Sequence, residues 1–491
     1  MTLLRFFSAL GSKKRNSALG SIFTFAVVMQ SAFSCTSNLN HQTVNSNLNP
    51  NAQEKQLTWG LQGHFLNHRQ ALSADDAWLA FDGRTDDPKM GENGLIGIVN
   101  MQSGEVKELY RVPGQQSYGP GSGAVSFSPT RKEVVFIRGL LSASESQPYH
   151  FTRRSAIGLN LENIDAPIEI NLDARDVTPP YTPGALRGGS HAYSYTADGE
   201  WISFTYNDEV LEQTAKLNPA VKDLRTVAFM IRGKGAEVET AVPENEFSGS
   251  NFSVVVAEVV PFPKPGSDEI FKACEETWVG ADGYTRANGE KVYRAMAYLG
   301  TVVNPDGKEL TEIFITDIPE DWEDSLVDTD LAGSENLMPQ APKAFTQRRV
   351  TYTADKKFPG VQGPRHWLKT SQKGDRIFFY AKSDDGIVQL FSVSPEGGEP
   401  VQITRNDFSP DTGFSLSPDD RWVAFGYQNQ VFLTEVVTGK TFPAGPPPET
   451  NHSELCNFNW SYSGHTLVYN KKVSQDGASH FQIFTLNPFN P

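Results

Sequence analysis

The sequence predicts an all-β protein, a seven-bladed β-propeller closed by an N-terminal strand in its last blade. Three observations carry this prediction. A hairpin pattern recurs six times, further strands fit the one long gap in that series, and the two chain ends supply complementary parts of one sheet. The 491 residues include 41 Gly, 31 Pro and 11% aromatics, and no long amphipathic helical period runs through them. Radial repetition lets a single architecture reach this length by adding blades.

Each repeat is an alternating apolar strand, a turn rich in Ser, Asp and Gly, and a second strongly β-prone strand. It appears as QALSADDAWLAFD (70–82), AVSFSPTRKEVVFIR (124–138) and YSYTADGEWISFTY (193–206). It returns as LKTSQKGDRIFFYA (368–381), FSLSPDDRWVAFGY (414–427) and FNWSYSGHTLVYN (458–470). Third strands follow in VQLFSVSPEGGEPVQIT (388–404) and QVFLTEVVTGKTF (430–442). Such self-similarity is what repeat architectures leave in a sequence.

The remaining blade is expected between residues 207 and 366. There FSVVVAEVV (252–260) reads as the inner strand, KVYRAMAYLG (291–300) and ELTEIFITDI (309–318) as the next two, and RRVTYT (348–353) as the outermost. Insertions are expected near 261–289, with DEIFKACEETW (268–278) as a short helix, and near 319–345. The outer-strand form VQIT (401–404) recurs as QLTW (56–59), whereas the C-terminal repeat stops after FQIFTL (481–486). QLTW is therefore expected to complete the last blade and remove an exposed edge.

The turns resemble those of TolB and PD40 propeller repeats. PYTPGALRGGSHAYSYTADGEWISFTYND (180–208), PGSDEIFKACEETWVG (265–280) and GPRHW (363–367) resemble the YidR family of bacterial propeller proteins, from about residue 56 onward. That resemblance implies the fold and almost nothing about activity. A TolB-like propeller that is similar in fold, oligogalacturonate lyase, binds manganese through histidine, an analogy at the level of fold alone.

Residues 1–34 read as an export signal: a basic stretch ending Lys13-Lys14-Arg15, an apolar run from Ala18 to Ala32, then small residues before Cys35. Ala32-Phe33-Ser34-Cys35 resembles a lipobox, with Ala where Leu is usual, which would make Cys35 the lipidation site; cleavage after Ser34 is the alternative. Residues 36–55 are polar and Asn-rich, as a flexible tether would be. No later segment is long and apolar enough to span a bilayer, so the membrane is expected to be met only through a lipid anchor, in the bacterial envelope. Cys274 and Cys456 could pair or remain two buried thiols.

The net charge is −15, and loss of residues 1–34 leaves 39 basic against 58 acidic residues, or −19. Such a surface repels phosphate backbones, and no basic stripe offsets it, so nucleic acid is not an expected partner. An envelope protein or a glycan is, with the chain itself a monomer.

The repeat also supplies a coordinate system. Five residues before the hydroxyl that opens each inner turn stand His68, Gly123, His191, His366, Thr412 and Cys456. Blade symmetry brings equivalent positions to one mouth of the central channel. Three imidazoles there could bind a divalent metal such as Mn or Zn, contact a metal-free ligand, or only line a wet channel. Asn251 is placed at the same level. Arg187 and Arg365 would suit a carboxylate or other anion, or would clamp loops through backbone carbonyls. Tyr181 would stack on a ligand or pack between Pro180 and Pro183. Glu275 and Glu276 could serve as acid or base, or form a solvated helix face. No phosphate loop, nucleophile elbow or Cys-rich zinc pattern is present. The sequence thus supports binding of a ligand or partner at the channel mouth, with a metal-dependent enzyme acting on acidic sugars as the alternative and a structural subunit as a third reading.

Overall fold

The repeated turn explains the strand pairing. In a computed structural model that describes residues 48–490 except 50, 240, 241, 243, 450 and 451, five turns share one geometry. Ser73, Thr196, Ser371, Ser417 and Ser461 each accept, through the hydroxyl, the backbone N–H five residues on, at 2.9–3.1 Å. The fourth turn residue is left-handed: Asp76, Gly199, Gly374, Asp420 and Gly464 have φ between 56° and 74°. Gly and Asp tolerate that region, which is why the turns carry those residues.

The hairpins so formed extend into antiparallel sheets. Sheet A holds Trp78–Asp82, Leu95–Asn100 and Val106–Arg111, with Phe65 and Leu72 bridging its inner edge. Sheet B holds Ser122–Phe127, Glu133–Gly139, Arg154–Asn160 and Ile168–Asn171. Sheet C holds Gly188–Tyr195, Trp201–Asp208, Arg225–Ala236 and Gly249–Val255, and sheet D holds Ile270–Trp278, Arg294–Val303, Glu309–Ile318 and Thr346–Arg349. A single parallel pair, Arg225 with Lys272, links sheets C and D. Sheet E runs from Lys369–Thr370 through Ile377–Lys382 and Val388–Val393 to Val401–Gln402. Sheet F runs from Ser415–Leu416 through Trp422–Tyr427 and Gln430–Glu435 to Thr441–Ala444. Sheet G holds His452–Trp460, Leu467–Gln475 and Ala478–Leu486, and its outer strand is Glu54–Gln56 from the other end of the chain.

Apolar clusters join each sheet to the next. Phe136 and Ile157 of sheet B meet Ile96 and Ile98 of sheet A; Phe229 of sheet C meets Trp278 and Phe314 of sheet D. The series returns on itself, since Val468 and Ile483 of sheet G pack with Leu79 and Phe81 of sheet A. Full burial of each such side chain is worth about 1.5–3 kcal/mol. The single α-helix among the described residues, α1 (Glu209–Leu217), begins where Asp208 accepts the Leu211 N–H at 2.9 Å.

Three expectations need correction here. FSVVVAEVV does not open a new sheet: Gly249–Val255 is the outermost strand of sheet C, paired with Arg225–Ala236. DEIFKACEETW is not helical; Ile270–Trp278 is the innermost strand of sheet D. A short hairpin, Tyr284–Thr285 with Lys291–Val292, fills the rest of that insertion. The tether also ends earlier than residue 55. Leu48 bridges Phe489, Ala52 is buried, and Lys55 pairs with Thr485. Closure by the N-terminal segment is seen, beginning two residues before QLTW, with the Leu57 N–H donating to the Ile483 carbonyl at 2.8 Å. The export signal and Cys35 lie outside the described residues. Cys274 and Cys456 are free thiols.

Candidate functional site

The inner strands carry a second repeated device. Register breaks fall between Gly123 and Ser126, opposite His191–Ser194, between Cys274 and Thr277, and between Cys456 and Asn459. At each break the residue after the first is left-handed: Ala124, Ala192, Glu275 and Asn457, with φ of 51–64°. These are β-bulges, which bend a strand and re-aim its side chains. They turn the start of each inner strand toward a cavity of about 830 Å³ at one mouth of the channel. Every sheet contributes to its wall, among them Ala124, His191, Lys272, Lys369, Phe414 and Cys456.

Three expected metal ligands line this cavity, His68, His191 and His366, and Arg365 and Glu275 line it with them. The histidines do not form a metal set. His68 stacks on Trp367, ring centroids 3.5 Å apart, and its Nε2 accepts from Arg69 Nε at 2.7 Å. His366 Nε2 accepts the Tyr380 backbone N–H at 3.1 Å, and its Nδ1 donates to the Pro364 carbonyl at 2.8 Å. The lone pairs that would bind a cation are thus already engaged. Burial holds all three imidazoles neutral: His366 is lowered to about 4, and His68 and His191 well below their usual value, helped by nearby arginines. His191 Nδ1 is enclosed without a hydrogen-bond partner, beside Arg154, Arg225 and Arg365. Among the described residues no group of three or more His, Cys, Asp or Glu is arranged to hold a metal ion.

The other expected ligand residues sit elsewhere. Arg187 is buried and paired with the fully buried Asp208 at 2.6 Å. It also donates to the Ser334 and Leu337 carbonyls at 2.5 and 3.0 Å, clamping the 319–345 excursion onto sheet C. Tyr181 lies against that guanidinium, 4.7 Å from ring centroid to Cζ. Asn251 is buried in the outer strand of sheet C, its N–H donating to the Leu172 carbonyl. None of the three lines the cavity. Glu276 is fully buried and accepts from Thr205 Oγ1 at 2.9 Å, and burial raises its carboxyl. Glu275 does line the cavity, held by Arg365 Nε at 3.0 Å. Burial pushes its carboxyl up, but Arg365 leads the opposing effects that leave it below its usual value.

Sequence reasoning missed a set of cations. Arg154, Arg225, Lys272 and Lys369 all line the cavity, and none has a carboxylate within ion-pair distance among the described residues. Arg154 and Arg225 both approach the ring of Phe151, with Cζ atoms 5.5 and 5.8 Å from its centroid, and that residue is 51% exposed. Arg365 lies 4.5 Å over Trp367. The only signal in the sequence was a basic residue at the first position of an apolar strand, as in RSAIGLN and RTVAFM. Sheets B to E thus give a cationic arc around the channel mouth. Asp411, Glu454 and Asp87 lie on the other side, and Glu454 and Asp87 there are met by Lys472 and Arg84.

A family described as a protein of unknown function (DUF3748) matches residues 121–246. The uncharacterized protein YidR of Escherichia coli (strain K12) is 36% identical over 391 residues, which is 79% of this chain and 87% of that protein. Among solved structures, an oligogalacturonate lyase in complex with manganese is similar at 9% identity and a TM-score of 0.50, covering 89% of this chain and 93% of its own. A putative TolB from Agrobacterium tumefaciens has 14% identity and a TM-score of 0.36, covering 81% and 98%. The architecture is a β-propeller with several four-stranded antiparallel sheets.

Proposed function

The chain belongs to the YidR family, and from that membership and the channel mouth we propose that it is a seven-bladed propeller that binds an anionic ligand, an acidic sugar, in the cavity of sheets A to G. Sheet G, completed by Glu54–Gln56, is the last blade of that count. One observation carries the reading: the half-exposed Phe151 is joined by two guanidiniums that have no carboxylate partner among the described residues. Unpaired cations in a concave site cost free energy that a bound anion recovers. An aromatic face suits the apolar face of a sugar ring, and a planar guanidinium suits its carboxylate. The contrast with a chain of net charge −15 makes the arc a local exception. Export behind residues 1–34 and anchoring at Cys35 would place such a site in the bacterial envelope, where acidic glycans are met.

Calorimetry with galacturonate oligomers and with the matching neutral galactose oligomers tests this. Binding of the acidic series alone is expected, weakening with salt, and Arg154→Ala with Arg225→Ala should lower affinity by about tenfold or more, since a charge-assisted contact is worth about 1.5–3 kcal/mol. Equal binding of the neutral series, or affinity indifferent to salt, would overturn the proposal.

A further inference from the structure

Lys369 stands apart from the other cavity cations. It opens the inner strand Lys369–Thr370 of sheet E, and its side chain faces the channel. Among the described residues the ammonium donates only to the His68 carbonyl, at 3.5 Å. From the segment before sheet A, Arg69 faces it; from the segment just ahead of its own strand, Arg365 and Trp367 border the same wall. Both nearby carboxylates of sheet D are committed, Glu275 to Arg365 and Glu276 to Thr205. The fold treats a structural lysine differently: Lys471, more deeply buried, is paired with Glu54 at 2.5 Å. Burial, with Arg69 beside it, lowers the Lys369 amine to about 7, so a large share is neutral at neutral pH. A neutral, desolvated amine next to a second cation is a nucleophile.

We propose that Lys369 is a reactive amine that condenses reversibly with the carbonyl group of a small oxo acid to form an imine. The inference rests on the anion-binding reading, because the neighbouring guanidiniums must hold the carboxylate while the amine meets the carbonyl carbon. The nitrogen lone pair forms the C–N bond as the carbonyl π pair moves onto oxygen, which takes up a proton. Loss of that oxygen as water then forms C=N. One ammonium and one carbonyl give one iminium and one water, with charge conserved and no oxidant or reductant required.

The test uses the full chain with pyruvate and sodium borohydride, which reduces an imine to a stable amine adduct, followed by peptide mass mapping. One adduct at Lys369 is expected, formed at pH 7 at least about tenfold faster than at any surface lysine, whose amine stays protonated. It should be lost in Lys369→Arg and slowed in the wild-type chain by excess lactate, which has the carboxylate without the ketone. Adducts spread over surface lysines with Lys369 unmodified would overturn the proposal, whether or not the variant folds. Calorimetry with galacturonate oligomers separates the two readings. Galacturonate binding without an adduct at Lys369 refutes the imine alone, and absence of both refutes the anion site beneath it.

Discussion

Asp173 offers a direct test of how this fold handles charge. It follows the outer strand of sheet B, is 1% exposed, and accepts the Ala156 N–H at 2.9 Å and the Ser190 hydroxyl. Burial raises its carboxyl from 3.8 to about 7, against the pull of those hydrogen bonds and of Arg175. The sign follows from linkage. Below pH 3.8 the carboxyl is protonated in both folded and unfolded chains, and its contribution is fully present. Between 3.8 and about 7 the unfolded chain releases the proton while the folded chain keeps it, so stability is lost as pH rises. At about 1.4 kcal/mol per pH unit the loss reaches an upper bound of about 4 kcal/mol near pH 7 and is constant above it. Asp173→Asn removes the titration and keeps the contacts: its carbonyl can accept from Ala156 and its amide can donate to Ser190 Oγ. Urea denaturation of both proteins at pH 4, 6 and 8 is expected to show the variant gaining on the wild type by a few kcal/mol between the first and last pH. Parallel stability-against-pH curves would refute the reasoning.

Arg187→Ala leaves Asp208 buried and unpaired, so a loss of about 3–5 kcal/mol is expected, with faster proteolysis within 319–345 as the clamp opens; unchanged cleavage there would show that the excursion is held otherwise. His366→Ala orphans the Tyr380 N–H and should cost about 1–3 kcal/mol in thermal denaturation. Manganese, zinc or nickel should leave the wild-type melting temperature unchanged, because the His68 and His366 lone pairs are engaged; a metal-induced rise that His191→Ala abolishes would restore the metal reading.

The hairpins and their turns were legible because each turn hydroxyl and left-handed residue recurs at a fixed spacing, and the shared last sheet because its two halves differ in form. The stretch 249–278 was not. In Ile270–Trp278 the bulge between Cys274 and Thr277 interrupts the alternation of buried positions, so Ile270, Ala273, Cys274 and Trp278 mimic a helical spacing. Reading that strand as a helix moved the inner edge of sheet D to 252–260 and carried Asn251 into the ring with it. The level of His68, His191 and His366 could be read from the repeat, but the use of their nitrogens could not, since Arg69 and the Tyr380 backbone reach them through tertiary structure. Arg154 and Arg225 look in sequence like ordinary solvent-facing strand starts; only the sheet arrangement turns them inward.

The pairing of Glu54–Gln56 with Ala478–Leu486, and of Leu48 with Phe489, places the two ends of the described residues side by side. The junction between Leu48 and Phe489 is therefore a seam within one sheet. A circular permutant that joins residue 489 to residue 48 through a short Gly-Ser link and opens between the exposed residues Gly398 and Glu399 should keep the same cavity with the seam moved to sheet E.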